Sequence, residues 1–514
     1  MKGKFLLIYF FTIPIFTFSQ KYDYVWQMGY FYREGVAFEL NFNNKQFKLN
    51  IVDRSYSLSG QGTSISNSET GKLLFASNGC NIYNVNNEIM DNGANLNPSV
   101  ITDIACGKIG NIPIQSTIAL PLPNDNNRFF YLFHQNADYF KLPNLSYDKI
   151  LTNKLYYSLI DMQENGGKGR VIKKNIELLS DTLDSGIYAV KHANGKDWWL
   201  LQGEYANKKY YTFRLSSKGI DTLPQQNVGI KDLKDYCQGG MQSCFSPDGT
   251  IFSTFSECDG LFIYDFDRNT GLLKDKLFLP QSSFNINQQL ISGGGVAISP
   301  NSRFLYAFAA YEVFQFDLKA NDIEKSKILV ATRDDFPYPW PINLSFGQLA
   351  PDCRIYIFSL SGVQGFGYIK YPDRKGLACE LVQHGILLPK NDLAVRGHPH
   401  YPNYRLGVTP TYPCDSTIEF KVATSEVQLP PAQYVLYPNP TNTTLNIDYE
   451  PTGGETKADI TIVDLLGKTV VFQKLDLYAT PLSMDVQNLP SGMYHCIFKV
   501  KDKQSTAQRF VIIR

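Results

Sequence analysis

Three groups of side chains have the types and spacing that chemistry requires. Asp265-Phe-Asp267-Arg-Asn269-Thr-Gly271 places three oxygen-bearing side chains two residues apart, as at the start of a calcium-binding loop. Its glycine stands one place later than such a loop demands. Lys276 holds the twelfth position, where a bidentate glutamate should close the site. The same residues suit a turn leaving a strand. His398-Pro-His400, with His384 upstream, is the histidine cluster. Two imidazoles two apart on a strand share a face and could begin a metal site. Pro399 between them, and the lack of an acidic neighbour, favour a loop capping the last structural unit. Tyr338-Pro-Trp340-Pro offers aromatic surface for stacking on a sugar ring or anchoring a protein partner. Trp198-Trp199 and Tyr210-Tyr211 alternate along strands, so one of each pair is expected to face inward. Gly293-Gly-Gly295 precedes a strand and not a helix, so close packing is expected there in place of a phosphate cradle. No G-x-S-x-G or H-E-x-x-H is present, and no cofactor or metal is expected.

These residues must be positioned by a repeat. Ser246-Pro-Asp-Gly249, Ser299-Pro-Asn-Ser302 and Ala350-Pro-Asp352 each separate two apolar strands, and their prolines are 53 and 51 residues apart. Proline sets φ, Asp or Asn bonds its own backbone, and Gly takes positive φ. Looser copies centre near residues 69, 124 and 194. Four strands per roughly fifty residues is the pattern of a β-propeller blade, which must stack on neighbours to cover its faces. The anchors supply six blades. A seventh can be assembled from Leu381–Leu388, Thr409–Val422 and an N-terminal strand, Val36–Ile51, though six or eight blades also fit. The fold class expected is all-β: a propeller of about seven blades, then a small immunoglobulin-like β-sandwich.

The chain has 514 residues, 14% of them aromatic and 19% charged, with 49 Lys and Arg against 48 Asp and Glu. A net charge of +1 gives no basis for binding nucleic acid, which needs a basic surface. Lys2 and Lys4, the apolar run Phe5–Phe18, and Thr17 with Ser19 read as a secretory leader, residues 1–19, leaving Gln20 as the new N-terminus. Export permits disulfides among the nine cysteines. Cys80 with Cys106 and Cys353 with Cys379 are plausible local pairs, and sequence alone leaves the connectivity open.

Residues 20–404 are expected to form the propeller and 405–433, with Pro410, Pro413, Pro430 and Pro431, a linker. In 434–514, short alternating strands and turns every 8–12 residues point to a sandwich. Tyr437-Pro438-Asn439-Pro440, Asp464-Leu-Leu-Gly467-Lys, Leu489-Pro-Ser-Gly492-Met-Tyr494 and the final Arg509-Phe-Val-Ile resemble the type A C-terminal sorting domain of the type IX secretion system. Cys496 stands where an apolar residue is expected. The resemblance implies that the secretion machinery is a partner. It also implies passage across the outer membrane, removal of the domain, and either attachment to surface lipopolysaccharide or release. The region before it is similar to exported propellers carrying such tails, on Val25-Trp-Gln-Met-Gly, Gly71–Gly79 and Phe346–Asp352, with Gly397-His-Pro-His-Tyr-Pro-Asn-Tyr404 as the closing segment.

Two functions are consistent with this reading. One is a surface-displayed binding or adhesion propeller with a glycan or protein ligand and no catalytic residues. The other is an extracellular glycan hydrolase or lyase with its site in the propeller funnel, which would need two converging carboxylates.

Overall fold

A computed structural model describes residues 20–514 apart from 32–34, 59–61, 107–109, 126, 141–148, 206–208, 230–241, 257–258, 285–293, 335–341, 389–392, 395–396, 421–433, 450–456, 466, 477–481, 501–502 and 505–506. The expected leader, the aromatic pair Tyr338 and Trp340, and Gly293 lie outside these residues.

Four sheets follow one plan, an antiparallel four-stranded meander in chain order. They begin at Tyr188–Lys191, Gln242–Phe245, Gly295–Ile298 and Phe346–Leu349 and end at Gly219–Thr222, Leu272–Pro280, Ile328–Thr332 and Leu381–Leu387. These are blades 4 to 7. Blade 3 runs Thr117–Pro121, Phe129–Gln135, Lys149–Asp161 and Arg170–Leu183, with Asp138–Phe140 paired to the start of its third strand. Blade 2 (Thr63–Ser66, Leu73–Ser77, Ile82–Asn84) and blade 1 (Val25–Met28, Gly35–Asn41, Lys48–Arg54) have three strands each.

The turn chemistry read from the sequence is built as expected. Ser246 Oγ receives the Ile251 N–H at 3.0 Å and meets Asp248 Oδ1 at 2.5 Å. One blade on, Ser299 repeats this with Phe304 N–H at 2.8 Å and Asn301 Oδ1 at 2.7 Å. Gly249 has φ +74°, and a Cβ there would press on Val190 and Arg268.

Burial grades from axis to rim. The first strands of blades 1 to 4 and 6 are buried throughout, whereas the last strand of blade 5 is largely exposed. Aromatic rings fill the seams between blades: Phe75 on Phe130, Tyr210 on Phe252, Phe284 on Phe314. The wheel closes where blade 7 meets blade 1. Trp26 packs edge-on against Tyr356, Phe38 stacks on Phe366, and Tyr30–Phe31 pairs with Leu393–Ala394.

The described residues therefore form seven blades, but the seventh is not the composite expected from both chain ends. Val36–Ile51 belongs to an N-terminal sheet of its own, because the short turn at Asn43–Lys45 lets Gly35–Asn41 pair back onto Lys48–Arg54. Leu381–Leu387 is the fourth strand of blade 7. The described part of Thr409–Val422 forms no strand, only a single parallel bridge from Glu419 to Gln46. Pro410 and Pro413 lack the N–H that a ladder needs.

Cys80 and Cys106 are joined, as the sequence suggested. Cys353 is joined to Cys414, not to Cys379. The chain returns across the blade 7 turn, where Asp415 N–H bonds Pro351 C=O, and this brings Cys414 to Cys353. Cys379 stays a free thiol buried in the core between blades 6 and 7.

Residues 434–514 form two sheets around one core. Tyr434–Tyr437, Thr444–Tyr449 and Leu482–Asp485 make one. Lys457–Val463, Thr469–Asp476, Gly492–Val500, Lys503–Gln504 and Gln508–Ile512 make the other. Leu445, Ile447, Ile460, Ile462, Phe498 and Phe510 fill the space between them, and Cys496 joins them as a buried free thiol. Among the described residues no helix is long and apolar enough to cross a membrane.

Candidate functional site

The centre of a propeller is where its loops and inner strands converge, and here the chain itself occupies that centre. After blade 7 the segment from Gly397 to Gly407 runs along the axis and touches almost every blade. The His398 ring lies against Phe346 of blade 7. Tyr401 stacks on Trp26 of blade 1, and its hydroxyl meets Ser64 Oγ of blade 2 at 2.5 Å. The Tyr404 hydroxyl donates to Ala119 C=O of blade 3 at 2.8 Å, while its ring packs on Trp198 of blade 4. Asn403 Nδ2 donates to Pro247 C=O beside blade 5 at 2.8 Å. Arg405 grips Asp23 with bonds of 2.6 and 2.7 Å, and Arg268 donates to Gly407 C=O at 2.6 Å. The first strands of blades 1 to 4 and 6 lie buried around it, and those of blades 5 and 7 are half-buried.

A second device draws the wheel together. Among the described residues six glutamine amides each take both a backbone C=O and a backbone N–H from another part of the wheel, as a neighbouring strand would. Gln115 does so with Ser243, and Gln242 with Gly347, reaching past the intervening blade. Gln135 holds Asp184 and Gly186, Gln226 holds Gly271 and Leu273, Gln315 holds Arg374 and Gly376, and Gln383 holds Thr332 and Asp334. Gly295 is needed for one of these, since a Cβ there would stand 2.3 Å from Gln242 Oε1.

Between the plug and blades 4 to 7 a cleft of about 80 Å³ remains. His400, Asn403 and Arg405 line it from the plug, and Val190, Ile298 and Gln348 from the blades. Among the described residues Asp23 is the one carboxylate on its lining, and both its oxygens are held by Arg405.

His398 and His400 are thus brought to the axis and buried, 2% and 6% exposed. Burial pushes their pKa values down to about 4 and about 3, so both rings are neutral. His384 is far from them in role: its Nε2 pairs with Asp334 at 2.6 Å. Among the described residues no three His, Cys, Asp or Glu side chains gather as metal ligands. Asp265 is bonded to Lys276 at 2.7 Å. Asp267 accepts the N–H of Asn269 and the hydroxyl of Thr270, closing the turn. Trp198 and Trp199 are both buried, against the expected one-in, one-out alternation, because adjacent blades cover both faces of a blade. Tyr210 is buried and Tyr211 is half-buried, as alternation predicts.

The structure also assembles a constellation without a linear signature. His134 Nε2 lies 2.9 Å from Ser158 Oγ, and Nδ1 lies 2.6 Å from Asn97 Oδ1. Asn97 donates to Gly79 C=O, and Ser158 accepts from Asn175 N–H. These bonds fix the ring with its proton on Nδ1, accepting from Ser158 at Nε2. The order resembles a nucleophile–base–orienter relay. All three side chains are fully buried, and burial lowers the His134 pKa to about 3. With no approach for a substrate, the relay binds blade 3 to the segment after blade 2. Its members come from residues 97, 134 and 158, too far apart for spacing to suggest them.

In the C-terminal unit the motif residues are structural. Pro438, Asn439 and Pro440 lie between the first two strands, and the Asn439 side chain clamps the last strand, donating to Arg509 C=O and accepting from Val511 N–H. Gly467 takes φ +80° in the Asp464–Lys468 turn. Gly492 opens the strand in which Tyr494 stacks on Phe510 and donates to Pro490 C=O at 2.9 Å.

Residues 435–514 match the family described as a secretion system C-terminal sorting domain. Comparison with curated proteins finds no match. Among solved structures, the periplasmic gluconolactonase PpgL of Pseudomonas aeruginosa aligns over 96% of this chain and 99% of its own at 11% identity and TM-score 0.36. A functionally unknown protein from Desulfotomaculum acetoxidans aligns over 73% and 100%, at 11% identity and TM-score 0.33. The Dos1 propeller aligns over 66% and 90%, at 10% identity and TM-score 0.29. The propeller assignment rests on the strand pairings themselves. The sorting domain is the type IX one. It engages that secretion machinery and directs export across the outer membrane, to the cell surface or the extracellular space.

Proposed function

We propose that the exported wheel is a non-catalytic binding or adhesion module displayed at the cell surface, with a glycan or protein ligand. In this reading residues 1–19 are removed as a leader, 20–404 are the propeller, 405–433 a connector and 434–514 the sorting domain. The sorting domain is cut off after export, and the wheel is attached to lipopolysaccharide or released. The connector's first part, to Phe420, is held on the wheel by packing on Phe47 and Tyr368.

The observation that carries the reading is the occupied axis. A funnel hydrolase or lyase acting by acid and base catalysis needs two carboxyl groups about 5–10 Å apart across an open cleft. Here the plug occupies the funnel, and the one carboxylate lining the remaining cleft among the described residues is neutralised by Arg405. The test is a glycan and protein array together with a hydrolase and lyase panel on the secreted protein. Capture without turnover is expected. Turnover that disappears on substituting Asp23 would end the reading.

A further inference from the structure

Four asparagines of the chain precede a glycine: Asn78, Asn92, Asn165 and Asn194. Such a pair carries its own reaction, because glycine has no Cβ to screen its backbone nitrogen from the asparagine side chain. The glycine nitrogen attacks Cγ, an N–Cγ bond forms and the Cγ–Nδ2 bond breaks. The glycine amide proton leaves with Nδ2 as ammonia, and a cyclic imide remains. Water then opens either imide carbonyl, giving aspartate or isoaspartate. Water is the only co-reactant, so the fold decides which pair reacts by holding or freeing the two groups.

In three of the four pairs both groups are held. Asn78 Oδ1 accepts from Cys80 N–H and Asn81 N–H at 3.0 Å each, and Gly79 N–H donates to Ser77 Oγ at 3.1 Å. Asn92 Nδ2 donates to Val171 C=O at 2.8 Å, and Gly93 N–H donates to Met90 C=O at 2.7 Å. Asn194 Oδ1 accepts from Lys196 N–H at 2.9 Å and Asp197 N–H at 3.0 Å, while its Nδ2 donates to Asp197 at 2.9 Å. Gly195 N–H donates to His192 C=O at 2.9 Å. Exposure does not separate the pairs, since Asn92 and Asn194 are exposed too.

Asn165 differs. It lies exposed in the turn between the last two strands of blade 3. Neither its side-chain amide nor the Gly166 N–H is hydrogen-bonded among the described residues. The turn is held instead by Gly167 N–H and Gly169 N–H on Glu164 C=O, each at 3.1 Å. Gly166 has φ +66°, and nothing stands within 4 Å of where its Cβ would be, so the space for ring closure is open.

We propose that Asn165 is a self-modification site, deamidating through an imide with Gly166 while the fold protects Asn78, Asn92 and Asn194. Each conversion replaces a neutral amide by a carboxylate beside Glu164. The site is independent of the binding function proposed above.

The experiment is peptide mapping by mass spectrometry, with isoaspartate resolved from aspartate, on the secreted protein held at mildly alkaline pH with and without urea. In the folded protein Asn165 is expected to convert first. The other three should be slower by roughly tenfold or more, since hydrogen bonds must break before each can react. In urea the four rates are expected to draw together, because the dipeptide is the same and the protection is gone. Asn165→Ala should remove the leading product and leave the other three rates unchanged. Another Asn-Gly pair converting as fast as Asn165 in the folded protein overturns the assignment. So does an Asn165 that stays intact while the unfolded chain converts. A gap as wide in urea as without it assigns the selection to neighbouring sequence, which also overturns it.

Discussion

Arg405 and Asp23 are 382 residues apart in sequence and joined by two charge-assisted hydrogen bonds of 2.6 and 2.7 Å. Asp23 precedes the first strand of the wheel, and Arg405 follows the axial plug. Arg405 also donates to Gln20 C=O at 2.9 Å, so one guanidinium ties both ends of the propeller. Asp23→Ala leaves a buried cation unpaired, and removing one partner of such a pair destabilises by about 3–5 kcal/mol. Urea unfolding of the variant is expected to show a loss of that size.

The Cys353–Cys414 bond pins the far end of the plug to the blade 7 turn. Cys414→Ser is expected to lower stability by about 2–4 kcal/mol. It should also open the 397–420 segment to limited proteolysis before any blade is cut. Cleavage sites mapped by mass spectrometry check this, and first cuts within a blade would contradict it.

Stability should depend on pH through three buried imidazoles. His134, His398 and His400 have pKa values lowered by burial to about 3, 4 and 3, against 6.5 when unfolded. Between those limits the unfolded chain binds protons that the folded chain refuses. Their contribution is complete above about pH 6.5 and is lost as pH falls toward the folded values, by roughly 1 kcal/mol per pH unit for each ring. Unfolding at pH 7, 6 and 5 measures the slope, and His134→Gln should make it shallower.

Gln315→Leu removes an amide that serves Arg374 C=O at 2.8 Å and Gly376 N–H at 2.7 Å. Two backbone groups then lose their partners in the seam between blades 6 and 7, at about 1–3 kcal/mol each. A thermal melt should fall accordingly. An unchanged midpoint would mean that water replaces the amide.

Truncation after Gln433 should leave a folded wheel that stays inside the outer membrane. Fractionation of cells expressing the shortened chain checks this, and surface material would show that export does not depend on residues 435–514.

Legibility in the sequence followed the chemistry of turns. Pro247, Pro300 and Pro351 mark the blades because proline, Asp or Asn, and Gly act locally on a few residues of backbone. Blade 1 turns instead on Asn44 at φ 57°, with no proline to announce it, so its strand was assigned to a composite sheet. Alternation puts one of Trp198 and Trp199 outward, because it describes one sheet and not the neighbour that covers it. The partners of Gln242, His134 and Cys353 lie 105, 24 and 61 residues away, where no local rule reaches. His398 and His400 were visible as a pair, but their place on the axis depends on seven sheets closing around them.

The order of parts along the chain has a consequence for quality control. The plug at 397–407 is translated after every blade and before the sorting domain. A polypeptide that stops early enough to lack its axis therefore also lacks its export address. Defective wheels from interrupted synthesis stay behind, and only chains with the means to close their own centre carry the signal to leave.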